Sequence, residues 1–332
     1  LKGKLPWLAA AIVIVQALAT YMAGMGAGNT MVIAPLMFAA VGFIPEVVAA
    51  MAIATAIGFT TSPASTETGL AATAAGLDVQ AFANMMLPVT IIVFLLAAGL
   101  AFYGVHKRKN VVRTNAQEEN EFDAKSNKEL WSMVVPTIAF LVLVVFGGKI
   151  NALFPIPIFV PMLNVIIAAI LCVIFCKEDS QKVSENLIDG SRFILTTLFG
   201  VGIFLGFINM IGFLGTFAEL AGLIANAPEW IVLFLACILG FVIAIPSGAF
   251  AAGVLTLILP TLVLIPGLPP IAFGLIAISV GLGTQISPVQ INVAALSEGF
   301  KISVFEVIKG NYKFVLVAAS LVGVFALVVG IL

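Results

Sequence analysis

GLGTQISPVQINVAALSEGF, residues 281–300, is the stretch that decides the fold. It is apolar enough for a membrane interior, yet Ser287-Pro288 interrupts it. Proline removes a backbone donor and clashes with the preceding turn, so a helix through this stretch unwinds near Pro288. Moving towards the N-terminus, PSGAFAAGVLTLILP (246–260) ends at Pro260, 28 residues before Pro288. The same order occurs earlier in the chain. MGAGNTMVIAP (25–35) ends at Pro35, and 28 residues later FTTSPAST (59–66) carries Ser62-Pro63. Each Ser-Pro precedes a glycine, Gly76 or Gly299, that opens GLDVQAF or GFKISVF, and a long apolar helix comes next. Two matched segments with the same spacing and downstream order indicate an internal repeat.

Composition sets the solvent. Of the 332 residues, 62% are hydrophobic and 9% charged, and mean hydropathy is +1.21. Soluble domains carry roughly 25% charge, so the expectation is an all-α polytopic membrane protein. Disorder, a collagen repeat, a disulfide scaffold and a nucleic-acid-binding surface are excluded on the same grounds. The net charge of −1 names no partner beyond the lipid bilayer. Cys172, Cys176 and Cys237 read as small buried hydrophobes, and His106, the one histidine, falls in a polar loop. Chemistry that needs a histidine cluster or a nucleophile–base pair in the membrane has no residues to build it.

Short, interrupted apolar segments in matching positions of two halves point to a transporter built from repeats. The reading divides the chain into a first inverted repeat (1–105), a polar linker (106–130) and a second inverted repeat (131–332). The second repeat contains a hairpin over 230–265 and a broken helix over 270–298. Residues 7–42 form the matching first hairpin and 46–75 the matching broken helix; 193–217 reads as a further broken segment. The result is an inverted-repeat transporter with two re-entrant hairpins and two broken transmembrane helices. With the linker cytoplasmic, 14 of the 15 Lys and Arg residues fall on the cytoplasmic side, Lys149 being the exception, as the positive-inside rule demands. Treating both hairpins as full spans gives the same parity.

Unwinding exposes carbonyls that suit a cation and amides that suit a carboxylate. Thr61 and Ser62 flank the first break, Thr284 and Ser287 the second, and these four are candidates for holding substrate. Ser65, Thr66 and Glu67 follow Pro63, while Gln290 and Asn292 follow Pro288; these are candidates for cation or proton coupling. Hydroxyls bonded back to their own helices would be the plainer outcome. Glu67 is the ionisable side chain placed deepest, and the repeat sets Asn292 at its equivalent; a carboxylate facing an aqueous cavity without a coupling role is the alternative. No Lys or Arg falls in either break, so an anion would be held by amides, hydroxyls and a bound cation. The tips of the hairpins are small and weakly polar, which admits a ligand to the backbone or close helix packing.

Three stretches resemble one family. They are Ser62-Pro63-Ala64 followed by LDVQAFANMMLPVTIIV, GVGIFLGFINMIGFL (200–214), and GLGTQISPVQINVAALSEGFKISVFEVIKG (281–310). Together they resemble the ion-transporter superfamily and, within it, the anaerobic C4-dicarboxylate carriers of the DcuC type. The resemblance implies a secondary active transporter of small organic anions, succinate, fumarate or malate first, working by symport or exchange through an elevator motion. It implies H⁺ or Na⁺ as coupling ion and no other cofactor or metal, a homodimer, and a bacterial cytoplasmic membrane. Other carboxylates, among them citrate, gluconate and short-chain fatty acids, are the alternative substrates, and an ion channel the more distant reading. Carried onto this sequence, the first tip offers Thr20 and Asn29-Thr30 for substrate, and the second offers Ser247-Gly248. Ala249 stands where the family commonly has asparagine. Members also carry further helices upstream, so the chain reads as part of a longer one.

Overall fold

The computed structural model describes residues 4–108, 127–151, 153–156, 158–215, 219, 222, 224, 227–248, 250–263 and 268–331. Within them every regular element is a helix. Most of the expected polar linker, and Ala249 of the second tip, lie outside the described residues.

The chain divides into two compact units, Leu1–Val112 with Leu198–Leu332, and Arg113–Thr197. The first holds both Ser-Pro motifs. It starts with a hairpin of α1 (Leu5–Ala23) and α2 (Ala27–Val41), then α3 (Pro45–Thr61), α4 (Thr66–Ala74) and α5 (Val79–Lys107). The order returns at the other end with α9 (Glu229–Ser247) and α10 (Ala251–Val263), then α11 (Pro270–Thr284), α12 (Ile291–Gly299) and α13 (Val304–Ile331). Proline stands in the first turn of α1, α3 and α11, where its missing N–H costs nothing. Asp78 caps α5 by accepting from Ala81 N–H at 2.9 Å. Ser303 and Glu306 bond reciprocally at the start of α13, Ser303 N–H to the carboxylate at 2.9 Å and Glu306 N–H to the hydroxyl at 3.2 Å, a capping box.

Four described helices, α1, α5, α9 and α13, are long and apolar enough to cross a membrane, and the bent pair α3–α4 raises this to five. Their outer faces are apolar: Leu95 and Leu96 on α5 and Leu321 on α13 are each about 60% exposed. The described residues are thus all-helical in their regular structure, with the apolar helices of a polytopic membrane protein. The core is built from α3 and α11, which are apolar nearly all round and buried along nearly their whole length, as expected for helices enclosed on every side. They cross closely because Gly281 carries no Cβ; one there would meet Thr60 Cγ2 at 2.6 Å. The hairpins pack in an exchanged manner: α2 lies along α12, and α10 along α4. Glu46 in the first turn of α3 pairs with Arg108 at 3.2 Å, tying the start of α3 to the end of α5.

The second unit contains α6 (Asn127–Asn151), α7 (Pro161–Phe175) and the first part of α8 (Ser180–Phe213). Asn151 organises the turn between α6 and α7. Its Oδ1 accepts from Ile158 and Phe159 N–H at 2.9 and 2.8 Å.

Two expectations change. The segment 193–217 is not broken at 193–213, because α8 runs without interruption to Phe213; it contains glycines but no proline, and glycine alone leaves the hydrogen-bond ladder intact. His106 sits in the last turn of α5 rather than in a loop, stacked on Phe102 at 6.0 Å between ring centroids.

Candidate functional site

Both Ser-Pro motifs break their helices. The chain bends by 51° between α3 and α4, and six residues separate α11 from α12. The two serines do the same local work. Ser62 Oγ accepts from Ala64 N–H at 3.0 Å, and Ser287 Oγ accepts from Val289 N–H at 3.3 Å. Each hydroxyl therefore bridges the proline to the residue after it. Ser62 Oγ also donates to the Tyr21 carbonyl at the end of α1.

A hairpin tip rests against each break. Gly24 (φ +68°) packs on the Ala64 carbonyl, where a Cβ would approach to 2.6 Å. Gly248 (φ +52°) packs on Ser287, where a Cβ would lie 2.8 Å from Oγ. Both positions need a left-handed backbone and tolerate no side chain, so only glycine serves.

Between them lies a cavity of about 420 Å³. The first tip supplies Gly24, Met25 and Gly26, and the first break supplies Ala64, Ser65, Thr66 and Glu67. The second break supplies Gln290, Ile291 and Asn292, with Thr55, Phe59 and Ala251 completing the wall. Four helices start at it, since Ala27, Thr66, Ala251 and Ile291 are the first residues of α2, α4, α10 and α12. First-turn N–H groups have no partner within their own helix and carry a partial positive charge. Ser65 takes up one at α4, accepting from Thr68 N–H at 3.1 Å. Gly26 and Gln290, the caps of α2 and α12, take up none with a side chain. Among the described lining residues Glu67 is the one ionisable group, and it is only partly buried.

The coupling candidates Ser65, Thr66, Glu67, Gln290 and Asn292 all line this cavity. The substrate candidates stand behind it. Thr61 Oγ1 bonds to the Ile57 carbonyl at 2.8 Å, Thr284 Oγ1 to Gly281 at 2.7 Å and Ser247 Oγ to Ile243 at 2.6 Å. Asn29 Nδ2 bonds to the Met25 carbonyl at 3.0 Å. Thr20 is fully buried with Oγ1 unpartnered.

Thr30 belongs to a buried network that crosses the unit. Gln16 Nε2 donates to Thr30 Oγ1 (2.8 Å) and Thr55 Oγ1 (2.9 Å), and Thr30 Oγ1 donates to Asn292 Oδ1 (2.6 Å). Asn292 Nδ2 donates to Gln285 Oε1 (2.6 Å), and Asn311 Nδ2 to the Gln285 carbonyl (2.9 Å). Sequence reading passed over Gln16 and Asn311. For Gln16 the signal was present, since it is a lone amide within an apolar run, where a polar group needs a partner; Asn311, between Lys309 and Lys313, gave no such signal.

A family model described as C4-dicarboxylate anaerobic carrier matches residues 5–332. No curated protein and no solved structure matches the chain.

Proposed function

We propose, because this chain belongs to the DcuC family of C4-dicarboxylate anaerobic carriers, that the cavity between the two breaks is where it holds its substrate. Membership makes it a carrier protein of the membrane, and transport rather than catalysis is what such a family does. The observation that carries the assignment to this cavity is the convergence of four helix starts on a space lined by no described Lys, Arg or His. Amide groups at helix starts are ready-made for a carboxylate, and four starts offer enough of them for the two carboxylates of a short dicarboxylate. Without a cationic side chain the hold is reversible, which suits release on the far side.

In this reading the substrate is succinate, fumarate or malate. Thr61, Ser62, Thr284 and Ser287 shape the breaks that present the amides, while Thr20, Asn29, Thr30, Ser247 and Gly248 shape the tips. Ser65, Thr66, Glu67 and Gln290, with the backbone at Asn292, form the place for the coupling ion, H⁺ or Na⁺, which offsets the charge of the incoming anion. The matched order α1–α5 and α9–α13, and the exchanged packing of the hairpins, support an inverted repeat with re-entrant hairpins and access alternating by an elevator motion. A homodimer in the bacterial inner membrane, with 106–130 cytoplasmic, completes the proposal.

The test is a thermal-shift screen of the purified protein against succinate, fumarate, malate, citrate and gluconate, each with and without Na⁺. A ligand that binds the folded state raises the melting temperature. The proposal expects shifts from the C4 acids. A flat response to all of them, or shifts from citrate or gluconate alone, would overturn the substrate assignment.

A further inference from the structure

The two exchanged packings, α2 on α12 and α10 on α4, are held by different chemistry. In the register that pairs Pro63 with Pro288, Asn292 corresponds to Glu67, and Gln16, Thr30 and Thr55 correspond to Phe241, Leu255 and Val280. The first junction therefore has a hydrogen-bonded chain from α1 through α2 to α12, with every member at most 3% exposed. The second junction has apolar side chains at three of the corresponding positions, Phe241, Leu255 and Val280, and the acid Glu67 at the fourth. Both ends of the Asn292 amide are used, Oδ1 by Thr30 and Nδ2 by Gln285. Its side-chain hydrogen bonds run into the protein, and the start of α12 at the cavity carries no side-chain cap.

We infer that Gln16, Thr30, Asn292, Gln285 and Asn311 form a clasp that fixes the start of α12 against the first hairpin, and that Gln16 and Asn311 are positioning residues for the substrate cavity. Asn292 is then a structural tie, and Glu67, at the corresponding position, is the one member of the pair whose side chain remains available to the cavity. The clasp holds one wall by side-chain hydrogen bonds, whereas the junction of α10 on α4 has Phe241, Leu255 and Val280 where those bonding groups stand. The consequence for substrate affinity rests on the carrier reading; the clasp itself does not.

Two measurements on the full chain decide it. Hydrogen exchange in detergent should show faster exchange over 291–299, by about tenfold, in Thr30→Val, which loses the bond to Asn292, and in Gln16→Leu, which loses the bond that orients Thr30, with 66–74 unchanged. Thr30→Ser, which keeps the hydroxyl, should restore protection. Unchanged exchange at 291–299, or an equal rise at 66–74, would overturn the clasp. In proteoliposomes the same variants, with Asn311→Leu, should raise the KM for succinate about tenfold and leave the maximal rate within about twofold, with Thr30→Ser again restoring the wild-type value. A lowered rate at constant KM would overturn the positioning role. If the wild type took up no dicarboxylate, the carrier reading would fall, and the exchange comparison would still uphold or overturn the clasp.

Discussion

The break after α3 and the break after α11 are built on the same plan and finished differently. Each has a serine bridging its proline and a left-handed glycine from a hairpin resting on it. The first then starts a helix capped by Ser65 and followed by an acid, Glu67. The second starts one with no side-chain cap, followed by an amide that is fully bonded elsewhere. Equal scaffolds with unequal linings teach that the backbone geometry and the charge of the cavity are set by separate residues. Substitutions should therefore separate them.

The largest effects belong to the shared scaffold. Gly24→Val and Gly248→Val each impose a β-branched residue on a left-handed backbone and drive it into the facing break. Each should cost about 3–5 kcal/mol, seen as a large fall in melting temperature in detergent. Tolerance of one and not the other would break the equivalence of the two tips. Leu255→Ala empties a fully buried position on α10, the counterpart of Thr30 in the repeat, and should cost about 3 kcal/mol. A cost well under 1 kcal/mol would show that this position is not held by apolar packing. The serines should differ by less. Ser62→Ala loses the bond from Ala64 and the bond to Tyr21, about 2 kcal/mol in all, and Ser287→Ala loses the single bond from Val289, about 1 kcal/mol. Reversal of that order in thermal unfolding would contradict the bonding described. The smallest effect has the sharpest sign. Gln290→Asp supplies α12 with the cap it lacks and should stabilise the fold by about 0.5–1 kcal/mol. The same change puts a carboxylate at the cavity and should weaken succinate binding, read as a smaller ligand-induced thermal shift. Tighter binding would contradict an anion held by the α12 start.

The breaks were legible from the matched Ser-Pro spacing rather than from proline alone, since Pro35, Pro88, Pro246 and Pro260 lie inside continuous helices while Pro63 and Pro288 mark the breaks. The tips were legible because glycine marks them. The same logic misled over 193–217, where glycines without a proline leave α8 whole to Phe213. Which side chains line the cavity was only half visible. Ser65, Thr66, Glu67, Gln290 and Asn292 follow the prolines at helix starts, and a helix start is where a cavity between broken helices must open. Thr61 and Thr284 were placed beside the breaks by spacing and Ser247 at the second tip by the family resemblance, but short hydroxyls within a helix bond to the carbonyl a turn earlier, and all three do. The bond from Thr30 to Asn292 joins residues 262 apart, and no period or spacing announces such a partner. The Glu46–Arg108 pair escaped notice likewise, because each stands at the end of its own helix.

The central claim is that an anion is carried through the cavity between the two breaks. Ala64 lines that cavity and is exposed to it, so Ala64→Trp can fill the space without disturbing the buried core. Counterflow of labelled succinate in proteoliposomes of the wild type and of Ala64→Trp tests the claim most directly. The account predicts saturable uptake stimulated by unlabelled succinate inside wild-type vesicles, and none by an Ala64→Trp protein whose melting temperature is unchanged. Uptake by Ala64→Trp at the wild-type rate would place the pathway elsewhere and contradict the account.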